Sequence, residues 1–118
     1  MKGIFIELPA FERHRARYLN DDGYRKLQDS MMEDPIAGDL IEGTGGLRKL
    51  RHADPRRGKG KRGGLRVIYF YWSDGSVDSS EFWLVTLYDK GEWSDLTSRQ
   101  RIALKDIVKA ELKAKHRI

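Results

Sequence analysis

The chain has 118 residues, a net charge of +5 and no cysteine. This length is typical of one domain, so we assign residues 1–118 to a single domain. The lack of cysteine excludes disulfides, thiolate metal sites and cysteine nucleophiles. The three histidines are far apart in sequence, so we expect no metal and no cofactor. No apolar run approaches the length of a membrane span and the start lacks a secretory signal, so we expect a cytoplasmic protein without membrane contact.

The N-terminal third predicts one strand and two helices. Residues 4–8 alternate with period two, as in a strand. Pro9 suits the first position of a helix, because proline has no backbone donor to lose there; this helix is expected to bury Phe11 and Tyr18. Residues 20–23 supply oxygen caps for a second helix. That helix carries the apolar stripe Tyr24, Leu27 and Met31, and it ends before Pro35.

The rest of the chain predicts three strands and a final helix. Strands are expected over residues 47–52, 65–72 and 82–88, and the last is apolar on both parities, as in a central strand covered on both faces. Residues 97–100 resemble a capping box, in which Thr97 and Gln100 satisfy each other's backbone amides. An amphipathic helix follows them. Strands clustered in this way favour an α+β domain with a mainly antiparallel sheet, packed by two N-terminal helices and one C-terminal helix.

The positive charge is concentrated in one segment. Residues 48–66 contain nine basic residues and one acid, Asp54, for a net charge of +8, so the remaining residues sum to −3. A local cationic patch on a mildly acidic domain indicates a surface that binds phosphate groups, as in nucleic acid. The alternative is a solvated loop that binds nothing specific.

Strand parity divides the basic residues. Lys49 and Arg51 share one face of their strand, whereas His52 shares the other with Leu50. Arg66 shares a face with apolar side chains on the next strand, where a charge is costly unless it pairs or meets a ligand. We therefore predict that Arg66, Lys49 and Arg51 contact phosphate. For Arg66 the alternative is a structural ion pair with a nearby acid.

Residues 53–64 form a predicted loop rich in glycine and basic residues. Glycines let backbone donors approach an anion, and the cations supply mobile positive charge. The loop has no phosphate-binding Gly-Lys-Ser/Thr motif. Such a long loop is often functional or disordered, and both hold if it becomes ordered only on RNA. The residues expected to bind RNA are Arg48, Arg56, Arg57, Lys59, Lys61 and Arg62.

The end of the last predicted strand places Tyr88, Lys90 and Glu92 within a short segment. These residues would supply a stacking ring, a cation and a carboxylate. Cleavage of an RNA backbone needs a base for the 2′-hydroxyl, cations for the phosphorane and an acid for the leaving oxygen. The alternatives are that Tyr88 is a core-edge aromatic and that Glu92 is an exposed acid near a helix N-terminus.

Three sequence blocks together resemble a HigB-type toxin of the RelE/ParE superfamily: residues 43–51, 58–69 and 84–97. The resemblance covers nearly the whole chain, including the order of elements. It implies a compact α+β domain and a bacterial toxin that cleaves mRNA on the translating ribosome. It also implies an antitoxin from a neighbouring gene, often one with a helix-turn-helix DNA-binding domain.

The resemblance assigns roles to particular positions. Lys49 and Arg51 match the paired basic residues of the second strand of the family, and Arg66 matches the arginine that contacts the scissile phosphate. Lys90 falls in the basic segment after the last strand, with Tyr88 and Glu92 beside it. The chain departs from the pattern where Gly91 and Thr97 replace an arginine and a tyrosine of some RelE enzymes, so base and acid are left unassigned.

Two other functions fit the same residues. A toxin of the ParE branch would inhibit DNA gyrase by binding it and would cleave no RNA, because one fold supports several functions. A plain RNA-binding module would bind with strong salt dependence and leave RNA intact.

Overall fold

The computed structural model describes residues 3–53, 64–76, 79–91 and 96–115. Eight elements lie within these ranges. In chain order they are β1 (Gly3–Glu7), α1 (Pro9–Tyr18), α2 (Asp21–Glu33), β2 (Asp39–Leu40), β3 (Arg48–His52), β4 (Leu65–Ser73), β5 (Ser80–Asp89) and α3 (Ser98–Lys115). None of these helices combines the length and the apolar character needed to cross a bilayer.

The strands form one mixed sheet in the order β1-β5-β4-β3-β2. Antiparallel pairing joins β5, β4, β3 and β2, while β1 lies parallel to β5. The predicted α+β class and mainly antiparallel sheet are thus confirmed. The two-residue β2 is not among the predicted strands, and its pairing with β3 extends the sheet by one short edge strand.

One face of the sheet carries a core made with α1 and α2. Phe11 and Tyr18 of α1 and Leu27 and Met31 of α2 are buried in one cluster with sheet side chains. The sheet contributes Leu50, Leu65, Val67, Tyr69, Phe82, Leu84 and Leu87. The helical stripe predicted for this region is therefore buried where the sequence places it, with Tyr24 at its margin.

The other face carries a second core made with α3. Leu104 and Val108 of α3 are buried with Ile68, Val85 and Tyr88 of the sheet. The central strand β5 contributes to both cores, which confirms the prediction that it is covered on both sides.

A bulge in β5 sets which side chains reach α3. Ile68 lies opposite Thr86 but Tyr69 lies opposite Leu84, so Val85 has no partner in the register. Strict alternation would place Val85 and Tyr88 on opposite faces, because they are three residues apart. The bulge adds one unpaired residue to β5, so the side chains of Val85 and Tyr88 both lie on the α3 face.

The helix caps follow the sequence. Asn20 Oδ1 accepts a hydrogen bond from the Gly23 amide at 2.7 Å, at the start of α2. At α3 the capping box is confirmed: the Gln100 amide donates to Thr97 Oγ1 at 3.1 Å, and the Thr97 amide donates to Gln100 Oε1 at 2.8 Å.

Candidate functional site

Three predicted site residues lie side by side across the sheet. Arg51 of β3 is the register partner of Arg66 of β4, and Arg66 is the partner of Tyr88 of β5. Directly opposed residues project from the same face, with Cβ atoms about 5 Å apart. We call Arg51, Arg66 and Tyr88 the cross-strand row. It lies on the α3 face, since Tyr88 belongs to the α3 core.

Lys49 extends this cationic surface by one row. It is opposite Ile68 of β4, two residues from Arg51 and therefore on the same face. On its other side Lys49 is opposite Asp39 of β2. The parity argument from sequence thus places Lys49, Arg51 and Arg66 on one face, and the register agrees.

Arg66 is the deepest of these cations, with only 5% of its surface exposed. Its Nη1 donates to the carbonyl oxygens of Gly64 at 3.1 Å and Leu65 at 3.3 Å. These contacts direct the guanidinium back to the start of β4. A buried cation beside a second cation, Arg51, is costly unless carbonyls, acids or a bound anion compensate for the charge.

Tyr88 is also buried, at 5% exposure, and packs in the α3 core. This position agrees with its interpretation as a core-edge aromatic. Its neighbour Asp89, which the sequence analysis does not single out, is buried at the end of β5 and accepts a hydrogen bond from the Gly91 amide at 2.7 Å. An acid directly after a long apolar run is a signal that would have found it.

Arg48 occupies a different place from the other basic residues of β3. It lies opposite Tyr69, on the α1 and α2 side of the sheet. Its Nη1 donates to the carbonyls of Ile36 at 3.2 Å and Gly38 at 2.8 Å. Arg48 therefore fixes the segment that leads into β2, whereas its predicted role was RNA binding.

The remaining predicted residues divide into two groups. Lys90 is exposed in the turn after β5, and His52 is opposite Leu65 on the side of Leu50, as parity predicts. The others lie outside the described residues: Glu92, Arg56, Arg57, Lys59, Lys61 and Arg62.

Two cations of α3, Arg101 and Lys105, face the same side but were missed by sequence reasoning. Both are partly buried, on the helical stripe that contains Leu104 and Val108. A Cβ atom on Gly45 would lie 3.7 Å from Lys105 Cγ, so Lys105 lies beside the turn that precedes β3. Arg101 lies one turn closer to the start of α3, which follows the end of β5. Basic residues four apart within an apolar stripe are the signal that would have found them.

The site is therefore a cationic surface between β3, β4 and α3, with the Tyr88 ring in its wall. Within the described ranges, no three histidine, aspartate or glutamate side chains are grouped so as to hold a metal ion. No protein-family model matches the chain. The fold and the site thus define an α+β domain with cations aligned across one sheet face.

Proposed function

We propose that the protein is a toxin of a type II toxin–antitoxin system that blocks translation by cleaving mRNA on the ribosome in the cytoplasm. The observation that carries this proposal is the register that aligns Arg51 with Arg66 on one sheet face, beside Lys49. Cations at this spacing suit a sugar-phosphate backbone, whose charges repeat along the strand. The resemblance to HigB-type toxins supports the same reading. It also suggests a partner, an antitoxin from a neighbouring gene with a helix-turn-helix domain.

The proposed reaction uses the RNA's own 2′-hydroxyl. A base removes its proton, the 2′-oxygen attacks the adjacent phosphorus, and the bond from phosphorus to the 5′-oxygen breaks. That oxygen takes a proton from an acid, which leaves a 2′,3′-cyclic phosphate on one fragment and a 5′-hydroxyl on the other. Arg66 stabilises the extra charge on the phosphorane, while Lys49 and Arg51 hold the neighbouring phosphates.

The buried position of Arg66 suits this electrostatic role. A guanidinium already fixed by the carbonyls of Gly64 and Leu65 needs little reorganisation when charge develops on the phosphate. The low exposure also reduces screening by water, which strengthens its field. Lys90 is exposed at the end of β5, where it would contact a phosphate, and the buried Tyr88 would position the neighbouring Arg66.

The test is induced expression of single variants, followed by mapping of mRNA ends and growth measurement. We expect Arg66→Ala to lower cleavage by about a hundredfold or more, as for the loss of one donor to a transition-state oxyanion. Arg51→Ala is expected to cause a smaller loss through weaker binding. The matched control is Arg25→Ala, which removes an exposed arginine from α2 on the other side of the sheet and is expected to leave cleavage unchanged.

Thermal unfolding of the purified variants separates loss of function from loss of fold. A folded Arg66→Ala variant that cleaves mRNA like the wild type would refute the role of Arg66. Intact messages together with DNA damage would favour a gyrase inhibitor. Salt-sensitive RNA binding without cleavage in a translation extract would favour a plain RNA-binding module.

A further inference from the structure

An acidic residue lies at the margin of the cationic surface, on the short edge strand β2. Asp39 is the register partner of Lys49, so the two side chains project from the same face of the sheet. Asp39 is exposed, and within the described part of the chain neither residue forms an ion pair. A carboxylate at this position weakens the binding of phosphate, because like charges repel. Binding of a phosphate backbone alone therefore does not explain Asp39.

The backbone that carries Asp39 is held firmly against β3. The Gly38 amide donates to Tyr69 Oη at 3.1 Å, and the Gly38 carbonyl accepts from Arg48 Nη1 at 2.8 Å. A Cβ atom on Gly38 would lie 2.9 Å from the Tyr69 ring and 3.1 Å from the Lys49 carbonyl, so only glycine fits there without displacing its neighbours. These contacts place the Asp39 carboxylate at a fixed position beside Lys49.

A carboxylate at a fixed position can distinguish between nucleobases. Its two oxygens are acceptors that lie side by side, and they are matched by two neighbouring donors. Among the bases of RNA at neutral pH, only guanine presents such a pair, N1–H and the 2-amino group of its Watson–Crick edge. The acceptor O6 lies next to N1 on that edge and suits one N–H donor of the Lys49 ammonium. The acid and the cation together thus match the polar edge of guanine.

The distance from Asp39 to Arg66 agrees with recognition of a base near the cleaved linkage. The two positions are separated by two strand spacings and by two residues along the strands, which amounts to about 12 Å. Stacked nucleotides lie roughly 3.4 Å apart, so a base at Asp39 belongs to a nucleotide within a few positions of the phosphate at Arg66. Arg51 lies on the strand between them, where it would hold the intervening backbone.

We propose that Asp39 is a specificity-determining residue, which selects guanine near the cleaved linkage by accepting hydrogen bonds from N1–H and the 2-amino group. Lys49 donates to O6 of the same base, and its other donors face the phosphate backbone. This inference rests on the proposed function, because it names the base that the same surface prefers. It adds no step to the cleavage reaction.

The alternative role of Asp39 is purely electrostatic. A carboxylate beside Lys49 and Arg51 reduces the repulsion between these two cations, and this effect needs no ligand. The two roles have different consequences when the charge is removed. Loss of a carboxylate that only offsets repulsion strengthens binding to every RNA by the same factor. Loss of a base contact instead changes the ratio of affinities between RNAs that differ at one base.

The first test is fluorescence anisotropy of the purified full chain with uridine heptamers that carry guanosine, inosine or adenosine at their centre. We expect the guanosine heptamer to bind about fivefold or more tightly than the adenosine heptamer, the lower range of one bidentate base contact. Inosine lacks the 2-amino group and is expected to fall between them. Asp39→Asn should remove this preference. The control Asp29→Asn removes the same charge from an exposed position on α2 and should retain it.

The second test is the mapping of mRNA ends after induced expression. The wild type is expected to show guanosine enriched at one fixed position beside the cut, and Asp39→Asn to lose that enrichment. Asp39→Glu keeps both carboxylate oxygens and should retain part of it. Thermal unfolding of these variants checks that the exposed edge strand still folds.

Three results would overturn the inference. Equal affinity of the wild type for the three heptamers, together with cut sites that show no guanosine preference, refutes the selection of guanine and leaves the cleavage proposal in place. A guanine preference that Asp39→Asn retains would assign Asp39 the electrostatic role alone. A wild type that neither binds nor cleaves RNA refutes the proposed function itself, and this inference with it.

Discussion

The two faces of the sheet carry different kinds of side chain. The face under α1 and α2 is filled by apolar and aromatic side chains, with the Phe5 and Phe82 rings stacked at 4.7 Å between centroids. The face under α3 combines an apolar core with cations at its margin, among them the buried Arg66. Both faces carry a buried apolar core, and the α3 face has cations in addition. Burying a charge such as that of Arg66 costs free energy, so a sheet face that serves only stability is not expected to carry it.

The ends of α3 show the same contrast. α1 and α2 are held mainly by buried apolar side chains. α2 and α3 both begin at a side-chain cap, and α3 has in addition the pair between Lys115 and Glu81 in its last turn. Substitutions on the first face are therefore expected to cost more stability than those at the ends of α3.

Phe82→Ala should have the largest effect on stability. Phe82 is fully buried between Phe5, Tyr69 and Tyr71, and its removal leaves a cavity. We expect the free energy of unfolding to fall by about 3–5 kcal/mol in urea denaturation. The matched variant Phe70→Ala, on the half-buried margin of the α3 core, is expected to cost clearly less. Equal losses at the two positions would contradict the proposed difference between the faces.

Tyr69→Phe is the next largest expected effect. Tyr69 Oη donates to the Pro35 carbonyl at 2.9 Å and accepts from the Gly38 amide at 3.1 Å, so it ties the segment before β2 to the core. Burial raises the pKa of this phenol above its ordinary value.

Loss of the Tyr69 hydroxyl leaves the Gly38 amide buried without its acceptor, at a cost of about 1–3 kcal/mol. The control is Tyr71→Phe, whose hydroxyl contacts Ser80 Oγ at 3.0 Å in a half-buried position. Urea denaturation is expected to show the smaller change for the control. The reverse ranking would mean that the contacts of Tyr69 do not stabilise the fold.

Much of this arrangement is readable from local sequence patterns. The capping box at Thr97 and the shared face of Lys49 and Arg51 follow from spacing alone, because both depend on neighbouring residues. The class of fold follows from the order of strands and helices, which the structure confirms.

The features that escape the sequence depend on contacts between distant segments. The parallel pairing of β1 with β5 and the bulge at Val85 arise from how strands meet, and single-strand periodicity does not encode this. Arg48 and Lys49 are adjacent and equally basic, yet one holds the Gly38 carbonyl and the other faces the candidate site. Strand alternation separates the two faces, but the distant carbonyls that Arg48 contacts are not encoded in the local pattern.

Glu81→Gln tests the polar anchor at the end of α3. Burial by itself would raise the pKa of Glu81, but hydrogen bonds from Lys115 and Trp83 hold it below its ordinary value of 4.5. The charged form therefore stabilises the fold above pH 4.5, and this contribution disappears as the pH falls through the lowered pKa.

We expect Glu81→Gln to lower the free energy of unfolding by about 1.5 kcal/mol at neutral pH, through loss of the charged hydrogen bond. The difference from the wild type should shrink in acid as the wild-type carboxylate is protonated. Lys26→Gln, which breaks the exposed pair with Asp22, is the control and should change stability by less than about 0.5 kcal/mol. A difference that stays constant from neutral to strongly acidic pH would show that the charge of Glu81 does not matter.

Thr97→Ala should have the smallest effect, at the opposite end of the same helix. The substitution removes the acceptor of the Gln100 amide, and loss of an N-cap oxygen costs about 1 kcal/mol. Thr97→Ser keeps that oxygen and should restore most of the loss.

At α2 the cap Asn20 makes the equivalent contact with the Gly23 amide, so Asn20→Ala is expected to cost a similar amount in urea denaturation. Because α2 is also held by a full apolar stripe and α3 depends more on its ends, amide exchange should report local fraying in Thr97→Ala but not in Asn20→Ala. Equal fraying of both helices would show that the two faces anchor their helices in the same way.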